Sequence, residues 1–208
     1  MSKYAERLLI NVDKRKSAEI ISLISAPQIV SFVSFIFISF YLETNIKMKL
    51  ISAFTTISFT SIFPTVFIYY LIYRGKIDHP FVPVREQRTI PYLFAVLSAF
   101  IGFLILIYFK SHWLIIASQW CYVLNTLLIL VINSRWKISA HSAGLSGPLT
   151  ILVWIFGYEV IPLFLLIPLV GWSRLYLKAH TLGQVIGGTM LGIFSTSIQI
   201  YLISKILM

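Results

Sequence analysis

Ser98-Ala99-Phe100-Ile101-Gly102-Phe103-Leu104-Ile105-Leu106-Ile107-Tyr108-Phe109 is the stretch that decides the fold. It carries no charge and no amide, and it is apolar at every helical and every strand position. A strand of a transmembrane barrel alternates apolar and polar residues, and a helix on the surface of a soluble protein keeps a polar stripe; this run does neither. Ser31 to Phe40 repeats the pattern. Outward from these runs, the chain is 58% hydrophobic and 12% charged over 208 residues. Its mean hydropathy is +0.88, more apolar surface than a soluble domain of this length can bury. The expected fold is all-α, a polytopic transmembrane helix bundle. At about 20 residues per crossing, the length admits six or seven spans and no separate soluble domain.

Hydropathy and flanking charge place the spans at about 20–42, 50–73, 91–109, 113–133, 142–157, 160–175 and 181–204, forming one transmembrane domain over 20–208. The fifth and sixth are short and interrupted by Gly157, Glu159, Pro162 and Pro168, a pattern for tilted, kinked or partly re-entrant segments. Residues 1–19 interleave Lys3, Arg7, Lys14, Arg15 and Lys16 with Tyr4, Leu8, Leu9 and Val12, which predicts an amphipathic helix at the membrane surface. The first apolar run is too long for a signal-peptide core, so the amino terminus is expected to be retained. The one cysteine, Cys121, sits within an apolar run and offers neither an intrachain disulfide nor a thiolate metal cluster.

With seven crossings, the amino terminus and the segments 74–90, 134–141 and 172–180 share one side of the membrane. That side carries thirteen of the 17 Lys and Arg residues, the other side four. The positive-inside rule then puts the polar segments in the cytoplasm of a cell-membrane protein. The net charge of +10 reads as topogenic and lipid-facing, and no nucleic-acid partner is implied.

Three clusters lie on that side. One is Ser173-Arg174 followed by His180 and Gln184, at the mouth of the last span. An imidazole nitrogen can attack phosphorus, and a planar guanidinium can hold phosphate oxygens in a fork. The second is Lys137-Ile138-Ser139-Ala140-His141, whose small residues and coming helix start favour an anion. The third runs from Asp78 to Pro91, with Arg85 and Arg88 three residues apart in a proline-stiffened loop. His79, His112, Gln119, Asn125, Asn133 and Gln199 read as structural, the amides bonding across helices. Gly183, Gly187, Gly188 and Gly192 read as close-packing positions.

Taken together the clusters resemble the type 2 phosphatidic acid phosphatase (PAP2) superfamily, whose signature is Lys-x6-Arg-Pro, then Pro-Ser-Gly-His, then Ser-Arg-x5-His-x3-Asp. The resemblance covers about 71–200, a PAP2-like core. Ser173, Arg174 and His180 fit the third motif, Ser139 and His141 the second, and Arg88 the first. The chain departs at Phe81, where the family lysine would stand, at Ile138 and Ala140 in the second motif, and at Gln184, which replaces the aspartate.

The resemblance implies a metal-independent lipid phosphatase without a cofactor, working through a phosphohistidine. His180 would be the nucleophile, Gln184 its orienting partner and His141 the acid and then the base. Arg88, Arg174, Ser139, Arg85, Lys137 and Ala140 would bind the phosphate. Asp78 and Glu86 are the only acids in the motif loops, too few for a two-metal site. The substrate implied is a lipid phosphate monoester or pyrophosphate, phosphatidate-like or polyprenyl, with membrane lipids as the other partners. The alternatives are a non-enzymatic relative that binds or moves phospholipid, prompted by Gln184, and a lipid phosphotransferase.

Overall fold

The computed structural model describes the backbone of residues 3–207 and the side chains of 12–206. Helix α1 (Lys3–Ile24) and helix α2 (Pro27–Leu42) meet at a 50° bend. Pro27 sets that bend: it suits the first turn of α2 but cannot continue α1. The expected first span, about 20–42, is therefore broken at Pro27 instead of running straight. The amphipathic face expected of 1–19 rests largely on Tyr4, Leu8 and Leu9, whose side chains lie outside the described residues.

Helices α3 (Ile46–Ile57) and α4 (Phe63–Tyr73) form one rod, joined by a π-helical turn at Ser58–Ile62. Pro64 has no amide hydrogen, so the carbonyls one turn earlier lose their helical donors. In a bilayer those oxygens need other partners. Tyr122 donates its hydroxyl to the Thr60 carbonyl at 3.0 Å, and Ser98 donates to the Phe59 carbonyl at 2.7 Å. The proline thus ties this rod to α5 (Thr89–Tyr108) and α6 (Trp113–Asn133).

Among the described residues five helical stretches are long and apolar enough to cross a membrane, and the bent pair makes six. The longest, Ala140–Tyr176, has 37 residues. Straight, it would reach about 55 Å, nearly twice a hydrocarbon core. It reverses instead at Gly157, whose φ of +73° suits glycine. Leu145 and Leu149 of α7 (Ala140–Phe156) consequently pack with Val170 of α8 (Leu166–Tyr176) in one buried cluster. The interrupted fifth and sixth expected spans are the two sides of this hairpin, so the described residues hold five to six candidate spans where six to seven were expected. The chain ends with α9 (Leu182–Met190), a π-helical turn and α10 (Thr196–Leu207).

The amides inside the spans bond between helices. Gln119 donates to the Ala99 carbonyl at 2.9 Å, Asn125 to Thr196 Oγ1 at 2.9 Å, and Gln199 to Asn125 Oδ1 at 3.0 Å. Each such bond is worth about 0.6 kcal/mol in a membrane, and here they fix which helices are neighbours.

Candidate active site

The site is assembled where α7, α8 and α9 begin or end on the same face. Helix α8 stops two residues after Arg174. Lys178 turns the chain back with φ +52°, and the Arg174 carbonyl accepts from the amides of Ala179 at 3.0 Å and His180 at 3.3 Å. This left-handed cap explains the five-residue spacing: it folds residue 180 back over residue 174. Thr181 then caps α9 in a box with Gln184. Gln184 Oε1 accepts from the Thr181 amide and stands 3.1 Å from His180 Nδ1, which also lies 3.3 Å from the Lys137 carbonyl. Both neighbours of Nδ1 are acceptors, so Nδ1 carries the proton and Nε2 keeps its lone pair.

Ser139 caps α7, its hydroxyl accepting from Ser142 Oγ at 3.0 Å, while its amide donates to the Gln184 carbonyl at 3.1 Å. Gly188 makes this junction possible, because a Cβ there would collide with the Ser139 carbonyl. The helix starts carrying His141 and Gln184 are thereby locked together. His141 hydrogen-bonds the Ser22 backbone, and its Nε2 is buried without a partner; the bond to Ser22 therefore runs through Nδ1.

Arg88 enters from the 74–88 loop. Its Nε donates to the Val82 carbonyl at 2.7 Å, and Val82, a β-branched residue at φ +42°, holds a strained turn to present that oxygen. Asn133 fastens the loop by donating to the Arg85 carbonyl at 3.2 Å. Arg88 and Arg174 are each 4% exposed. Arg174 donates to Ser22 Oγ, yet its Nε and Arg88 Nη1 are buried with no partner. Among the described residues neither guanidinium has a carboxylate partner. Burial, reinforced by Arg88 and Arg174, lowers the His180 pKa from 6.5 to about 4, against the opposing hydrogen bond that His180 donates to Gln184. The same causes lower the pKa of Lys137, with Glu86 opposing.

Arg88, Ala140, His141 and His180 line one cavity. Arg174 acts electrostatically on both histidines and bonds Ser22 beside them. Two expected phosphate ligands stand elsewhere. Arg85 is turned outward to Glu86 and the Arg135 carbonyl, and the Ser139 hydroxyl accepts the α7 cap bonds from Ser142; neither lines the cavity. Lys137 contributes its carbonyl to His180.

Three participants were not anticipated. Tyr92 lines the cavity beside the Arg88 guanidinium, four residues on, a helical spacing that the sequence did display. Phe81, at the position of the family lysine, meets the His141 ring edge-on at 5.6 Å. Ser22 comes from α1, which Ser173 also holds by donating to the Ala18 carbonyl at 2.7 Å; a lone serine in an apolar run gives no signal of this.

No curated protein and no solved structure matches the chain. A family model does match: that of the PAP2 superfamily, over residues 117–207, from α6 to α10. The match contains the second and third clusters and leaves Arg88 outside. Over residues 117–207 the chain is thus similar to the PAP2 superfamily, and the Ser139/His141 and Ser173/Arg174/His180 clusters lie within that likeness.

Proposed function

We propose that the protein is a membrane-embedded lipid phosphatase that forms a phosphohistidine on His180. One observation carries the reading. Two buried guanidiniums without carboxylate partners, and three buried polar atoms without any partner, surround a histidine whose Nε2 is free. Buried cations of this kind are costly unless an anion completes them. A tetrahedral dianion fits their number and placement.

In the proposed reaction, His180 Nε2 attacks phosphorus and the P–O ester bond breaks. His141, entering the reaction as the imidazolium with Nδ1–H held by the Ser22 backbone, gives its Nε2 proton to the leaving oxygen. A water then loses a proton to His141, attacks the phosphorus and displaces His180, releasing inorganic phosphate. Arg88 and Arg174 take up the charge developing on the equatorial oxygens. A site at the bundle's end suits a substrate with a wet phosphate and an apolar tail. The excess of Lys and Arg on this face orients it toward the cytoplasm.

The detergent-solubilised protein should release phosphate from a lipid phosphate in the presence of a chelator, and His180→Ala should abolish release without lowering the melting temperature. An unchanged rate overturns the mechanism. Gln184 favours a second reading, a lipid-binding relative without turnover, since an amide cannot neutralise an imidazolium as a carboxylate does. Gln184→Glu keeps the side-chain length and the α9 capping box while supplying the charge. A faster rate supports the enzyme with a weakened orienter; binding without hydrolysis in both forms supports the binder.

A further inference from the structure

Arg88 stands at the start of α5, and Pro91, Tyr92 and Ala95 follow at helical spacing on the same face. All four line the cavity. The Tyr92 ring packs on the cluster of Ile129, Ile138 and Ala143, so it is held by α6 and by the segment that carries His141.

The Tyr92 oxygen lies within hydrogen-bonding reach of the Arg88 guanidinium, and Arg174 acts on it electrostatically as well. A guanidinium has donors only, so toward Arg88 the phenol can only accept. Its own proton is left over: among the described residues no carbonyl, carboxylate or hydroxyl takes it. A tyrosine hydroxyl inside a protein ordinarily finds an acceptor. Tyr122 shows the contrast. It lines the same cavity, yet its hydroxyl is already donated to the Thr60 carbonyl at 3.0 Å.

A bound phosphate has a use for the spare proton. Among the described residues the unpartnered guanidinium atoms are Arg88 Nη1 and Arg174 Nε, while Arg85 and the Ser139 hydroxyl are engaged elsewhere. Three equatorial oxygens, each with more than one lone pair, can accept more bonds than those two atoms give. A third buried cation would be costly to desolvate, whereas a neutral O–H adds a bond without adding charge.

We infer that Tyr92 is a further catalytic residue, whose hydroxyl accepts from Arg88 and donates to an equatorial oxygen of the bound phosphate. The inference rests on the phosphate-site reading above and adds a substrate contact to it.

Calorimetric titration of inorganic phosphate into the detergent-solubilised protein reads this contact without turnover. Tyr92→Phe keeps the ring and its packing, and it should weaken phosphate binding about 10–100-fold, the range of a hydrogen bond to a charged group. On a lipid phosphate its kcat should fall about 10²-fold. Tyr122→Phe should leave phosphate affinity within about twofold of the wild type, because its hydroxyl has no proton to offer. Replacing Tyr92 with para-aminophenylalanine, a donor but a poor acceptor, should restore most of the affinity lost in Tyr92→Phe. Thermal melts on the same samples report folding. Unchanged affinity in Tyr92→Phe, an equal loss in Tyr122→Phe, or no recovery with para-aminophenylalanine would each overturn the proposal, the last by making the hydroxyl a prop for Arg88. Failure of the phosphate-site reading looks different: the wild type itself then binds no phosphate, and the proposal falls with it.

Discussion

The two ends of the bundle each bury a polar cluster, and they are built on opposite terms. At the end away from the motifs, Glu43 closes α2 and its Oε1 accepts from Ser52 Oγ at 2.7 Å and the His112 amide at 3.0 Å, with Ser111 Oγ 2.9 Å from Ser52. His112 in turn caps α6. Every one of these groups has a partner, and together they staple three helix ends. At the other end Arg88, Arg174 and His141 are just as buried, yet each keeps an unpartnered atom. A buried polar group left unmatched by its own chain destabilises the fold by about 1–3 kcal/mol, so an end that tolerates three of them has a use for them that the closed end does not have.

Replacing Arg174 with methionine gives the largest expected contrast. Loss of one donor aimed at transition-state charge costs about 10²–10³ in kcat. The same change removes a buried uncompensated cation, so the melting temperature in detergent should hold or rise. Phosphate release and a thermal melt on the same sample check both halves. A clear drop in melting temperature would make Arg174 a structural group like Glu43 and erase the distinction between the ends.

Most of the fold was legible because it follows from long-period properties. Runs such as Ser98 to Phe109 leave helices as the one way to satisfy their backbone in lipid, and the interruptions around Gly157 marked the hairpin turn. The spacing from Arg174 to His180 was equally readable, because one left-handed cap sets it locally. What escaped the sequence depends on tertiary approach. Nothing local distinguishes Ser22 from other serines of an apolar run until α1 packs on α8. Arg85 and Arg88 look equivalent in sequence, and only the Val82 turn and Asn133 decide that Arg88 enters while Arg85 faces Glu86. Ser139, expected among the phosphate ligands, stands directly before α7 and accepts its cap bonds.

The pH response sharpens the contrast at intermediate size. His180 has its pKa lowered from 6.5 to about 4, first by burial and then by the two arginines. Between those values the unfolded chain binds a proton that the folded protein refuses. Stability is thus full above about pH 6.5 and declines as the pH falls toward 4, with an upper bound of roughly 3 kcal/mol. Melting temperatures across that window should fall for the wild type and fall less steeply for His180→Gln. In kcat/KM, His180 should contribute no acid limb until the pH approaches about 4. A limb centred near 6.5 that disappears in a variant of His180 would show an ordinary imidazole, not one pressed by guanidiniums.

Glu43→Ala should give the smallest effect and the opposite signature to Arg174→Met. It strips the acceptor from the Ser52 hydroxyl and the His112 amide, and two donors left unmatched at a partly wet helix end cost about 1–3 kcal/mol between them. His112 lies beside Glu43, and burial lowers its pKa while the carboxylate opposes that shift; without the carboxylate, the imidazole should titrate lower still. The chemistry at the far end is separated from this staple by most of the bundle, so turnover per folded molecule should match the wild type. Parallel melts and initial rates decide the matter. If rate falls in proportion to stability at temperatures where the variant is fully folded, the staple is mechanically coupled to the site through α2, which runs from Glu43 at one end to the Pro27 rim of the cavity at the other.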